Sequence, residues 1–115
     1  MDLSFRTKKL AKTASNSRLL KKQHGVLAKT IGLRLQCLIA ADNLEIYAQL
    51  DPLGGFHKLE GSEARYAVEV SGNYRLLFDV ANEPIPKRGD DPNAIDQVSV
   101  TKIRIVELAV DYHGK

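Results

Sequence analysis

The sequence predicts an α+β fold in which two N-terminal helices pack on one face of a small antiparallel β-sheet with a mixed edge. Three observations lead to this prediction. Apolar residues recur at helical spacing through the first forty positions, the pattern alternates from residue 66 onward, and a Gly-Asn pair separates two alternating runs. Neither a repeat nor a domain boundary interrupts the 115 residues, so we expect a single domain over 1–115 whose second sheet face is free for a ligand.

The first third of the chain is predicted to be mainly helical. Leu3-Ser4-Phe5 alternates and is typical of a short edge strand, and a first helix should follow from about Thr7 to Ala14. Ser15-Asn16-Ser17 offers capping groups for a second helix that runs to about Ala41. The core-facing residues of that helix recur three, four or seven apart: Leu20, Leu27, Ile31, Leu35 and Leu38.

Two glycines lie seven residues apart in the second predicted helix. Gly25 and Gly32 should each cost about 1 kcal/mol relative to alanine inside a helix, so their presence needs a physical reason. A close approach by a neighbouring backbone is one explanation, and a kink in the helix is the other.

The remainder of the chain is predicted to be a short helix followed by strands. Asp42 or Asn43 should cap a helix that ends near Leu50, and residues 51–55 should form a turn. Tyr66–Ser71 and Tyr74–Val80 should pair through a tight turn at Gly72-Asn73. Residues 81–97 contain three prolines and read as a long exposed loop, and Val98–Val110 resumes the strand pattern with Ile103 and Ile105 on its buried face.

The charge of the chain is unevenly distributed. Residues 1–36 hold nine Lys and Arg but only one acidic residue, whereas the net charge of the whole chain is +3. This distribution indicates a polyanionic partner for the N-terminal elements, with a solvated lysine-rich helix face as the alternative.

Several classes of protein are disfavoured. Cys37 is the only cysteine, which excludes an internal disulfide and a multi-cysteine zinc site, and we expect it to be a small buried hydrophobic residue. No apolar run approaches the roughly 20 residues of a membrane span. Basic residues near the N-terminus interrupt any signal-peptide pattern, so we expect a cytoplasmic protein.

Three short blocks occur in an order that resembles a known family. They are the segment from Phe56 to Gly61, the segment from Tyr66 to Phe78 with its Ser-Gly-Asn-Tyr-Arg turn, and the terminal triplet Asp111-Tyr112-His113. Together with Ser4-Phe5-Arg6 and the basic helix that follows, they are similar to the HigB-type toxins of the RelE superfamily. The resemblance covers nearly the whole chain, and the proline-rich 81–97 segment is longer than the turn expected there.

The resemblance implies a RelE-like fold and an endoribonuclease that cleaves mRNA, commonly on the ribosome, without a metal or any other cofactor. It also implies a cognate helix-turn-helix antitoxin of the HigA type as partner and no association with a membrane. The residues that match the family's site one by one are His57, Arg75, Asp111, Tyr112 and His113.

The chemistry of these five residues suits metal-independent RNA cleavage. When the RNA 2′-hydroxyl attacks the adjacent phosphorus, the reaction needs a proton acceptor, a cation on the phosphate and a proton donor. One of His57 and His113 would be the general base and the other the general acid, and the sequence does not indicate which is the base. Arg75 would hold the phosphate. Asp111 would orient a histidine, and Tyr112 would stack on a base or bond to the phosphate. The candidate RNA-binding cations are Lys8, Lys9, Lys12, Lys21, Lys22 and Lys58.

Each site residue also has a purely structural interpretation. His57 fits a surface loop, the terminal triplet fits a frayed chain end, and Arg75 fits an ion pair with Glu69 across the hairpin. The three histidines have no spacing typical of metal ligands. Two other functions compete with the nuclease: a catalytically silent module that binds the antitoxin in transcriptional autoregulation, and a nonspecific RNA-binding protein that uses the basic N-terminal residues.

Overall fold

A five-stranded mixed sheet forms the centre of the protein, and helices cover one of its faces. The computed structural model describes residues 1–50 and 55–111. The strands lie in the order β1 (Asp2–Phe5), β7 (Lys102–Asp111), β4 (Tyr74–Val80), β3 (Arg65–Ser71) and β2 (His57–Lys58). All neighbours are antiparallel except β1 and β7, which are parallel. The predicted α+β class and the short edge strand near Leu3 are therefore confirmed.

Three helices begin at side-chain caps, two of which, Asn16 and Asn43, were among the predicted capping residues. Thr7 Oγ1 accepts a hydrogen bond from Leu10 N at 3.0 Å at the start of α1 (Lys8–Ser15). Asn16 Oδ1 accepts from the backbone of Arg18 and Leu19 at the start of α2 (Ser17–His24). Asn43 Oδ1 accepts from Ile46 N at 2.9 Å and caps the helix Leu44–Leu50. The predicted turn after Leu50 lies largely outside the described residues.

The second predicted helix is wrong as a single element, because it is broken at Gly25. The chain leaves α2 at this glycine, which has φ +53°, passes through a short 3₁₀ turn over Gly25–Leu27 and continues as α3 (Ala28–Ala40). We number the Leu44–Leu50 helix α4. A Cβ placed on Gly25 or Gly32 would have no neighbouring atom within 4 Å, so close backbone approach explains neither glycine. The kink is the correct explanation at Gly25.

In the described part of the chain, no helix is long and apolar enough to cross a bilayer.

The core lies between α3 and the sheet. Ile31, Leu35 and Leu38 are buried as predicted, and they pack in one cluster with the sheet's inward residues. Phe56 and Tyr66 stack with their ring centres 5.2 Å apart within this cluster.

Cys37 is exposed, so its predicted burial is wrong. It follows Leu35 by two positions, which turns its side chain to the opposite side of the helix.

The β3–β4 hairpin forms as predicted. Ser71 pairs with Tyr74 across a two-residue turn, and Gly72 has a φ of +54° that a side chain would strain. The segment 81–97 differs from the predicted loop. It contains a small antiparallel pair, β5 (Lys87–Arg88) and β6 (Asp91–Ile95), and Ile95 is buried in the core.

Strand β7 buries the side chains that the alternating pattern predicts, but it also contains a β-bulge that the pattern did not indicate. Ile103 and Ile105 are fully buried, which confirms their predicted orientation. Phe78 pairs with Ile105 but Leu77 pairs with Glu107, so β7 bulges at Val106. Val106 is therefore buried on the opposite sheet face, with Ala67 and Leu77.

The two helical glycines offer a matched stability test. Gly25→Ala should lower the free energy of unfolding by at least about 1 kcal/mol, because alanine is strained at its positive φ. Gly32→Ala should raise it by about 0.5–1 kcal/mol, because its surroundings are open and alanine is the better helix former. Urea denaturation of both variants measures the difference, and equal stabilities would show that the α2–α3 break does not depend on the glycine.

Candidate active site

The sheet face opposite the helices, which we call the open face, carries the candidate site. Partners in a β-ladder project to the same side of a sheet, so the strand registers define rows across this face. One row runs His57, Ala67, Leu77, and the next runs Glu69, Arg75, Val110. The two rows place His57 and Arg75 on the same face.

The middle of the open face is apolar. Ala67, Leu77 and Val106 are buried there, and Leu59 and Val110 pack against them. This cluster, the apolar floor, separates the polar side chains around it. A ligand on the open face therefore meets an apolar centre with charged groups at its margins.

Arg75 is the second residue of β4, and its side chain is half-buried. Its Nη1 donates hydrogen bonds to the carbonyl oxygens of Gly72 at 2.6 Å and Tyr74 at 3.1 Å. Its Nε is buried and has no hydrogen-bond partner among the described residues. Glu69 is its register neighbour, as expected, but within residues 1–50 and 55–111 no ion pair joins the two. The predicted structural alternative for Arg75 is therefore not formed.

His57 is exposed on the edge strand β2. Its Nδ1 lies 3.1 Å from the carbonyl oxygen of Gly55. A carbonyl only accepts, so this contact requires the proton on Nδ1 and leaves the lone pair of Nε2 available to accept a proton. Strand β3 separates His57 from β4, which puts the two backbones roughly 10 Å apart. His57 and Arg75 are thus brought to one face without touching each other.

The end of β7 lies directly beside Arg75. Val110 pairs with Arg75 and Asp111 pairs with Tyr74, so the last described residue is next to the start of β4. Asp111 is exposed and shares its side of the sheet with Tyr74, the side opposite to Arg75. Tyr112 and His113 lie outside the described residues. Of the five predicted site residues, the structure brings His57 and Arg75 to the open face, and it places Asp111 near Arg75 along the chain direction but on the other side of the sheet.

The six predicted RNA-binding lysines do not share one surface. Those of α1 and α2 are exposed, and Lys21 lines a groove between α2 and α3. Lys58 pairs with Tyr66, on the helix-covered side of β2, and its ammonium donates to the Ser62 carbonyl. Lys58 therefore faces away from His57.

Other arginines on the open face were not singled out from the sequence. Arg65 forms a two-bond ion pair with Asp79, at 2.7 and 3.0 Å, and the hydrogen bond to this carboxylate raises the pKa of Arg65 above its ordinary value. Arg104 is the next residue in that row and is exposed. The strand alternation places both on the same side as Arg75, which is the signal that could have found them. In the described ranges no three His, Cys, Asp or Glu side chains are grouped as a metal site requires.

A buried arginine supports the site from the helix layer. Arg34 of α3 is only 7% exposed, and its Nε donates to the carbonyl oxygen of Glu69 at 2.8 Å. Glu69 is the register neighbour of Arg75, so this bond fixes β3 at the row that contains Arg75. No sequence signal indicates this role, because Arg34 belongs to the same basic N-terminal region as the exposed lysines of α1 and α2.

Removing the Arg34 donor should destabilise the protein. Arg34→Met keeps much of the side-chain volume but leaves the Glu69 carbonyl without its donor, which should lower the free energy of unfolding by about 1–3 kcal/mol. Lys29→Met, on the exposed side of the same helix, should stay within about 0.5 kcal/mol of the original protein. Urea denaturation compares the two, and an unchanged Arg34→Met variant would contradict the assigned role.

Comparison of the chain with protein-family models, with curated proteins and with solved structures finds no match.

Proposed function

We propose that this protein is the toxin of a type II toxin–antitoxin system, a RelE-like endoribonuclease that cleaves mRNA in the cytoplasm, on the ribosome, without a metal or other cofactor. The observation that carries the proposal is the pairing of Arg75 with Val110 on the sheet face shared with His57. Tyr112 follows Val110 by two residues, and two residues of extended chain span about 7 Å. The pairing of Val110 therefore supports a position for Tyr112 within reach of Arg75.

The proposed reaction uses the RNA's own hydroxyl. The 2′-oxygen forms a bond to phosphorus while the bond from phosphorus to the 5′-oxygen breaks, and the products are a 2′,3′-cyclic phosphate and a 5′-hydroxyl. His57 accepts the 2′-proton at Nε2, since its Nδ1 proton is engaged by Gly55. His113 donates a proton to the leaving 5′-oxygen, and Asp111, which lies on the side of the sheet opposite to Arg75, would orient His113 from outside the open face.

Arg75 is assigned to the phosphate. Its guanidinium stays charged throughout the reaction, and Nε retains a donor that no described residue uses. Charge that develops on the phosphate oxygens would draw this buried donor into a hydrogen bond, an interaction stronger in the transition state than in the ground state. Tyr112 is assigned to base stacking, for which the apolar floor provides adjacent surface.

The strand that separates His57 from Arg75 is the observation that favours a second candidate function. Because β3 lies between His57 and Arg75, cleavage requires both side chains to reach across β3 to a single phosphodiester. A member of the fold that does not bind RNA in this way would be a catalytically silent module that pairs with a HigA-like helix-turn-helix antitoxin and represses their shared promoter. A folded protein that neither cleaves ribosome-bound mRNA nor slows growth would favour this function.

Substitution of the site residues tests the nuclease. Arg75→Ala and His57→Ala should each reduce the cleavage rate of ribosome-bound mRNA by about 10²- to 10³-fold and relieve growth arrest on expression. Arg88→Ala removes an exposed arginine of β5 and should leave the rate unchanged. Circular dichroism establishes that all variants are folded. Full activity in both site variants would disprove the site.

The α1 lysines test how the RNA is held. Replacing Lys8, Lys9 and Lys12 together by alanine should weaken binding of single-stranded RNA and reduce the slope of log affinity against log salt concentration by about 2. Fluorescence anisotropy at several salt concentrations measures the slope, with Arg88→Ala as the control. A slope that does not change would remove α1 from the RNA-binding surface.

A further inference from the structure

The outer surface of the helix layer contains a continuous groove. One part, of about 660 Å³, lies between β1 and α3, and a second part, of about 540 Å³, lies between α2 and α3. The two parts share four lining residues: Ser17, Leu20, Gly32 and Gln36. We call the combined depression the helix-layer groove.

The floor and walls of the helix-layer groove are largely apolar and exposed. Val26 is 95% exposed, Leu33 48% and Ile39 57%, and all three line it. Three large apolar side chains exposed along one groove are more typical of an interaction site than of ordinary surface. Gly32 lies in the floor with open space where its side chain would be.

The length of the groove suits a short helix. Val26 and Ile39 are thirteen positions apart, and most of that distance is the α3 helix, so the groove extends roughly 20 Å at the rise of an α-helix. A partner helix of about 13 residues has the same length. Such a helix presents apolar residues at i, i+3, i+4 and i+7, which is the usual way that a groove of this kind is filled.

The margin of the groove is basic. Lys21 and Lys29 line it, and the exposed Arg18 and Lys22 are adjacent on α2. Asp2 is the only acidic residue among positions 1–36, and it lines the β1 end of the groove, away from these four cations. Acidic side chains flanking an apolar stripe would complement this margin.

We propose that the helix-layer groove binds an acidic amphipathic α-helix of a partner protein. A second copy of this chain fits poorly in a two-fold arrangement, because the two lysine margins would face each other. RNA fits poorly because its bases stack on exposed aromatic side chains, whereas the exposed Val26, Leu33 and Ile39 are aliphatic and the aromatic Phe5 is half-buried. The groove lies on the opposite side of the sheet from Arg75, so the inference does not rest on the nuclease activity.

The experiment titrates the full chain, labelled with ¹⁵N, with a synthetic peptide. The peptide has about 14 residues, leucines along one helical face and glutamates elsewhere, and the control peptide has the same composition in an order that disperses the leucines. We expect binding with a Kd on the order of 10–100 µM and amide shifts confined to β1, α2 and α3. The control peptide should bind at least tenfold more weakly.

Two variants identify the groove as the binding site. Gly32→Trp places an indole in the floor, at a position where a Cβ meets no neighbouring atom within 4 Å, and should weaken peptide binding at least tenfold, whereas Gly32→Ala should bind as the original protein does. Lys21→Glu combined with Lys29→Glu should also weaken binding at least tenfold, and it provides a test that does not alter the floor. Val98→Trp, which adds an indole to another exposed apolar position, is the matched control.

Three results would overturn the proposal. The first is a peptide that does not bind, or that binds Gly32→Trp and the lysine double variant as tightly as the original protein. The second is that a uridine oligonucleotide binds this surface in place of the peptide, and that Gly32→Trp abolishes the oligonucleotide binding. The third is a dimer of the free protein in sedimentation analysis that Gly32→Trp dissociates.

Discussion

The antiparallel pairing of β4 with β7 is the constraint on which the rest of the structure depends. β7 lies between β1 and β4, so it joins the N-terminal strand to the hairpin. Its bulge at Val106 changes which side chains face the helices, and this divides the apolar residues between the main core and the apolar floor. The same pairing ends with Val110 beside Arg75, so the geometry of the candidate site follows from the register of two central strands.

Much of the fold was predictable because local signals and tertiary packing agree. Gly72-Asn73 specifies a hairpin whose register is regular from Arg65 to Glu69 and shifts by one residue next to the turn, and Asn16 and Asn43 cap the helices that they precede. The failures have identifiable causes. The apolar stripe of the second helix continues through Gly25, so periodicity alone did not reveal the break there. The prolines of the 81–97 segment suggested a loop, but they are compatible with the short β5–β6 pair and with a buried Ile95.

The candidate site was predictable in part. Strand alternation places Arg75 on the open face, and the same rule would have added Arg65 and Arg104. The sequence could not show that β3 separates His57 from β4, because the pairing of a two-residue edge strand is a tertiary property. Nor could it distinguish Arg34, which donates to a strand carbonyl from a buried position, from the exposed lysines of the same basic region.

The parallel pairing of residues 2–5 with residues 102–105 has a consequence for how the protein is made. During translation β1 leaves the ribosome long before β7 exists, and contacts of such high sequence separation form late in folding. The nascent chain therefore cannot close this edge of its sheet before residues 102–105 have left the ribosome.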